Sequence, residues 1–205
     1  MTKPWDEHAF RKEYDKISSF TLVDHHRCYV LLQLLNQALH FPGHIAEVGV
    51  YKGGTAKLIN NFMKAHRVSW KLLHLFDTFE GMPEVDPTKD CHRKGDFNDT
   101  SLNAVAAFVG PWQTRFHQGL FPESAWEVKD QKFCFVHVDC DIYSSVKACC
   151  EFFYPKIEKG ILVFDDYGSA GCPGAKAAVD EFFNHPSRIE EPIRITTEQA
   201  IVFKI

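Results

Sequence analysis

The chain has 205 residues, 45% of them hydrophobic and 24% charged, with a formal net charge of -4 and a pI near 6.2. That length suits one domain with at most a short appendage, and the apolar share is enough for a sizeable core. The acidic balance and the absence of any Lys/Arg block exclude the electrostatic footprint of a nucleic-acid binder, and seven cysteines without a CxxC pair fit free thiols better than a disulfide framework or a zinc site.

The charged start, Met1 to Glu7, lacks a signal-peptide apolar region, and the longest apolar runs are strand-length. A cytoplasmic protein with no membrane partner is therefore expected. Residues 5 to 40 read as two helical pieces broken near Ser18-Ser19. The second, Leu22 to Leu39, carries a stripe of Val30, Leu31, Leu34, Leu35 and Leu39. Residues 1 to 40 are expected to form a helical lid or appendage, and residues 41 to 205 the main domain. From Ile45 to Val50 the pattern changes to a buried strand, and Gly53-Gly54-Thr55 opens a helix to about His66. Leu72 to Phe76 is a second strand ending at Asp77, and residues 78 to 97 read as loop. Asn98 or Asp99 is placed to cap a helix through Phe108. Thr114 to His117 and Phe133 to Val138 are strands, the latter ending at Asp139. A helix from about Ser144 to Phe153 precedes the strand Gly160 to Phe164, which ends at Asp165-Asp166. Gly174 to Phe183 is helical, and Ile193-Arg194-Ile195 pairs with Ala200 to Phe203.

Strands alternating with helices predict right-handed βαβ crossovers and a mostly parallel sheet covered on both faces. The last two strands have too short a link for a crossover and are expected as an antiparallel hairpin at the sheet edge. In such Rossmann-like α/β sheets, ligands bind outside the carboxyl ends of the strands. Those ends carry Glu47-Gly49, Asp77, His117, Asp139-Asp141 and Asp165-Asp166.

The Glu47 to Thr55 turn fails two phosphate-binding patterns. Thr55 stands where a GxxxxGK[ST] loop needs Lys, and Tyr51 occupies the second glycine of GxGxxG. What remains is an acid two residues before the first glycine, suited to the ammonium of an amino acid, and a helix start that can hold a carboxylate. Asp77, past the next strand, is placed to accept ribose hydroxyls. The pair favours a nucleoside carrying an amino acid, which describes S-adenosylmethionine. Asp139-Cys140-Asp141 and Asp165-Asp166 close neighbouring strands, so their carboxylates should converge. Converging carboxylates repel, and a hard-oxygen set suits Mg²⁺, Ca²⁺ or Mn²⁺.

Four stretches then make the chain resemble the macrocin O-methyltransferase-like (TylF-type) family of class I methyltransferases. They are Glu47 to Gly54, Phe76 to Pro83, Val136 to Ser145, and Val163 to Tyr167; Thr21 followed by Arg27 also looks like that family's N-terminal helix. The resemblance implies a Mg²⁺-assisted methyl transfer from S-adenosylmethionine to a hydroxyl of a sugar or other small secondary metabolite. It implies Asp139, Asp165 and Asp166 as metal ligands, with Asp139 or Asp141 near the base role. Together with the residue reading, it sets the cofactor contacts at Glu47, Gly49, Val50, Tyr51, Gly53, Gly54, Thr55, Asp77, Thr78, Phe79, His117, Gly119 and Asp139.

Two other classes use parts of the same pattern. A metal-dependent glycosyltransferase would use Asp139-Cys140-Asp141 as its DxD, but would leave the Glu47 to Thr55 loop unexplained. A non-catalytic S-adenosylmethionine-binding protein would not need the acidic cluster. His137 reads as a hydrogen-bonded core histidine, Cys149-Cys150 as helix filler, and a homo-oligomer is compatible with the sequence.

Overall fold

The protein is described from a computed structural model that covers residues 8–195 and 197–204. Helix α1 spans His8–Asp15 and α2 spans His25–Ala38, with a 3₁₀ turn at Ser18–Phe20 between them. The sequence places the second helix from Leu22, but it begins at His25. The reason is Asp24, whose carboxylate accepts the His26 and Arg27 N–H groups at 2.7 and 3.3 Å and so caps the helix. Residues 5 to 7 of the expected first helix lie outside the described residues.

The elements that follow are β1 (His44–Val48), α3 (Gly54–Ala65), β2 (Leu73–Asp77), α4 (Leu102–Val109), β3 (Thr114–Gln118) and β4 (Phe133–Val138). Then come α5 (Tyr143–Phe153), β5 (Gly160–Phe164), α6 (Pro173–Phe183), β6 (Ile193–Arg194) and β7 (Ala200–Lys204). Helix α4 is capped by Ser101, not by Asn98 or Asp99. Asp99 instead accepts from the Tyr51 hydroxyl at 2.8 Å and pairs with Lys52. A 3₁₀ segment at Glu123–Val128 was not anticipated from the sequence.

The 7-stranded sheet runs β3-β2-β1-β4-β5-β7-β6. Strands β1 to β5 are mutually parallel, and β7 runs antiparallel to both β5 and β6. The alternation of side chains along a strand divides the core into two layers. In β5, Ile161 and Val163 join Leu31 and Leu35 of α2 and Leu58 of α3, whereas Leu162 and Phe164 join Val146 and Phe153 of α5 and Val179 of α6. Helix α2 is thus part of one core layer, even though it falls in the segment read as an appendage. The strand order reverses between β1 and β4, and that reversal opens a crevice beyond their carboxyl ends. No helix among the described residues is long and apolar enough to cross a membrane.

Candidate active site

The crevice is a cleft open to solvent at its mouth, where polar residues from several strand ends meet apolar lining. Of the residues singled out in the sequence, Gly49, Val50, Tyr51, Thr55, Asp77, Thr78, Gly119, Asp139, Asp141, Asp165 and Asp166 line it. Gly49 ends β1 at φ +87°, and a Cβ there would stand 1.8 Å from the Asp139 carbonyl oxygen. Only glycine lets the β1 end pass the β4 end this closely. The Asp77 carboxylate organises the turn: Oδ2 accepts the Val50 and Tyr51 N–H groups at 2.6 and 2.9 Å, and Oδ1 accepts the Phe79 N–H at 2.6 Å.

Glu47, Gly53, Gly54, Phe79 and His117 do not line the cleft. Glu47 is fully buried, accepting from the Thr55 hydroxyl and lying 3.1 Å from His137 Nδ1. Those contacts engage Oε1 alone, and Oε2 is buried without a partner. A Cβ on Gly53 would meet Val105 and Val109 of α4 at 2.9 and 3.0 Å. One on Gly54 would meet the Phe20 carbonyl oxygen and Thr21 at 2.7 Å. These two glycines admit neighbouring protein, where a close ligand approach was expected. Phe79 is buried in the core layer under α2 and α3.

His117 is likewise turned inward. Its ring stacks on Phe76 at 4.5 Å, and its Nε2 lies 3.0 Å from His74 Nδ1. Burial, followed by the His117 and His44 rings, pushes the His74 pKa down to about 3. A histidine depressed in the fold stabilises it fully above its ordinary value of about 6.5 and loses that contribution as pH falls toward about 3. Substituting H74F should therefore flatten the acid limb of the unfolding midpoint over that window, where His74 contributes up to about 1.4 kcal/mol per pH unit. Denaturation series at pH 7, 5 and 4 check this, and parallel acid limbs in the two proteins would contradict it.

The acidic cluster forms as expected: oxygens of Asp139, Asp165 and Asp166 lie within 4.8 Å of one another. The two neighbours from β5 nevertheless have different surroundings. Asp165 is fully buried, pairs through Oδ2 with the Arg27 guanidinium, and through Oδ1 accepts from Gln199 at 2.7 Å and faces His137 Nε2 at 3.5 Å. Asp166 lies 3.6 Å from the same guanidinium, and its Oδ2 is buried without a partner. Desolvation and the neighbouring charges of Asp165 and Asp166 push the Asp139 carboxyl well above its ordinary range. Desolvation and Asp166 do the same to Asp141, and desolvation with Asp165 moves Asp166 to about 6. Burial would lower His137, but its bonds to Asp165 and Glu47 outweigh this and hold the ring charged.

Convergent hard oxygens, carboxylates that resist ionisation together, and the orphaned Asp166 Oδ2 fit a divalent cation. Asp139 and Asp166 have capacity to spare, whereas Asp165 is already shared by Arg27, Gln199 and His137. Arg27 and Gln199 belong to the site but were not assigned to it from sequence. Arg27 and Asp165 are 138 positions apart, and no local spacing connects them.

A ligand cleft at the switch point of a sheet in this order, with one reversed strand beside β5, defines a class I methyltransferase fold. The fold matches that of the O-methyltransferase NovP with a TM-score of 0.80, at 25% identity, over 90% of this chain and 82% of that one. A calicheamicin methyltransferase shares the fold at a TM-score of 0.72 and 18% identity, over 99% of this chain and 94% of that one. The family model for macrocin-O-methyltransferase (TylF) matches residues 7–204, and the chain belongs to that family. Demethyldecarbamoylnovobiocin O-methyltransferase of Streptomyces niveus is 29% identical over 154 residues, covering 69% of this chain and 58% of the relative. Mycinamicin III 3''-O-methyltransferase of Micromonospora griseorubida is 24% identical over 169 residues, covering 75% and 65%. The chain thus spans less than two thirds of the length of these relatives.

Proposed function

We propose that this protein is an S-adenosylmethionine-dependent O-methyltransferase acting on a hydroxyl of a sugar or other small secondary metabolite, assisted by a divalent cation such as Mg²⁺. The observation that carries the reading is the continuity of the cleft: the Gly49-Val50-Tyr51 turn with Asp77 and the Asp139-Asp141-Asp166 carboxylates line one cavity. Donor and acceptor chemistry thereby share a wall. The relatives' names point to the same reaction class.

In this reading Asp77 faces the ribose, and Gly49 to Tyr51 with Gly119 form the bed of the cofactor. S-adenosylmethionine supplies an electrophilic methyl group when bound. Asp139 and Asp166, with Asp165 behind them, would hold the cation, which supplies Lewis acidity toward the acceptor hydroxyl. Asp141 takes the hydroxyl proton on its carboxylate. Its position in the cleft wall brings it to the acceptor's side of the cavity, and burial beside Asp166 raises its affinity for a proton. Thr21, Leu22 and Val23, between the 3₁₀ turn and α2, also line the cleft and exclude water as a lid. The rest of the rate comes from holding both reactants in one orientation.

Asp77→Ala tests the donor end. It removes the ribose acceptor and releases the Val50, Tyr51 and Phe79 N–H groups together, so S-adenosylhomocysteine affinity measured by calorimetry should fall at least tenfold. Unchanged affinity in a folded variant would remove the cofactor from this turn.

A further inference from the structure

Beside the Asp139, Asp165 and Asp166 cluster, three loops bring one thiol, one imidazole and the Asp141 carboxylate to a common point. Cys172 lies just before α6, His92 in the 78 to 97 loop, and Asp141 just after β4. Cys172 Sγ is 3.6 Å from His92 Nε2 and 3.5 Å from Asp141 Oδ1, and the last two atoms are 3.8 Å apart. In a tetrahedral zinc site with Zn–S near 2.3 Å and Zn–N and Zn–O near 2.1 Å, those edges are about 3.6, 3.6 and 3.4 Å. The three atoms therefore already stand at the corners of such a site.

We propose that Cys172, His92 and Asp141 form a binding site for a zinc-type transition-metal ion, separate in chemistry from the hard-oxygen cluster of Asp139, Asp165 and Asp166. A thiolate and an imidazole select zinc over Mg²⁺. The second shell is in place as well: Asp96 Oδ2 lies 3.4 Å from His92 Nδ1, the arrangement that fixes the tautomer and direction of a metal-bound imidazole. Cys172 is buried and Asp141 reaches the cleft wall, so the site adjoins the cleft. The ligands lie 31 to 80 positions apart, which is why a search for zinc-ligand spacing in the sequence does not find them. The ion would fasten the 78 to 97 loop, already docked through Asp90 Oδ1 on the Tyr143 N–H at 2.8 Å, to the β4 and β5 ends. It would compete for Asp141 with any acceptor proton.

The test is a titration of chelator-stripped protein with Zn²⁺ by calorimetry and with Co²⁺ by absorbance, in excess Mg²⁺ to fill the aspartate cluster. One equivalent of Co²⁺ should give a thiolate-to-metal charge-transfer band. That band should be lost in C172S and H92Q and kept in C91S, whose side chain is the exposed thiol nearest in sequence. D96N should weaken zinc by about tenfold to a hundredfold. Melting curves without added metal confirm that each variant is folded, and zinc should raise the midpoint of the parent protein but not of C172S or H92Q. Absence of a thiolate band in the parent protein, or a band that survives in C172S and H92Q, would overturn the site.

Discussion

Asp166→Asn should lower methyl-transfer turnover by about a hundredfold to a thousandfold, the loss expected when charge stabilisation is removed from a closed site, while S-adenosylhomocysteine affinity changes little. Asp166 carries the partnerless Oδ2 inside the cluster, so the amide keeps the shape but gives up the anion that a divalent cation needs. The cofactor bed proposed at the ends of β1 and β2 is left intact. EDTA should reproduce the loss in the parent protein, and added Mg²⁺ should reverse it. The pH dependence follows from the Asp166 pKa of about 6. Below that value the carboxyl holds its proton and the cation must displace it, so cation affinity should rise as pH rises through 6, with the raised Asp139 carboxyl adding to the rise. Full turnover in EDTA would reduce these carboxylates to acid–base or structural groups.

Asp165→Asn should behave differently from its neighbour: it should cost about 3–5 kcal/mol of folding stability in addition to activity. That is the penalty for leaving a buried charge without its partner. Arg27 and His137 both face Asp165, which has no exposed surface, and an amide returns neither charge. Arg27→Met should show a loss of the same order, and the double variant should lose less than the sum, because the two residues share one interaction. Urea unfolding of the parent, the two single variants, the double variant and Asp166→Asn measures this. Equal stability of Asp165→Asn and Asp166→Asn would mean that the Arg27 contact contributes nothing.

Much of this arrangement was legible in the sequence. Acids and a glycine at successive strand ends located the cleft, because a parallel sheet delivers its strand ends to one edge. Strands alternating with helices also predicted a sheet covered on both faces, which the two core layers bear out. The roles of single residues were harder to read. Asp165 and Asp166 are chemically alike and adjacent, yet one turns to Arg27, Gln199 and His137 and the other keeps a free oxygen. That distinction comes from Arg27 of α2, His137 of β4 and Gln199 just before β7, all distant in sequence. Glycines were read as points of close approach, but at Gly53 and Gly54 the approaching group is α4 or the Phe20 carbonyl with the Thr21 side chain. Glu47 and His117 looked like ligand contacts because they sit at strand ends; the residues facing them, His137 and Thr55 for one and His74 and Phe76 for the other, draw them inward.

The central claim is that one cleft binds S-adenosylmethionine and transfers its methyl group to a hydroxyl. The most direct measurement offers the protein labelled S-adenosylmethionine with a library of glycosylated and hydroxylated metabolites in Mg²⁺, alongside calorimetry with S-adenosylhomocysteine and with UDP-glucose. The account predicts one site for S-adenosylhomocysteine, none for UDP-glucose, and label appearing on an acceptor oxygen. Metal-dependent binding of UDP-glucose by a protein that ignores S-adenosylhomocysteine would contradict it and return Asp139-Cys140-Asp141 to the glycosyltransferase reading.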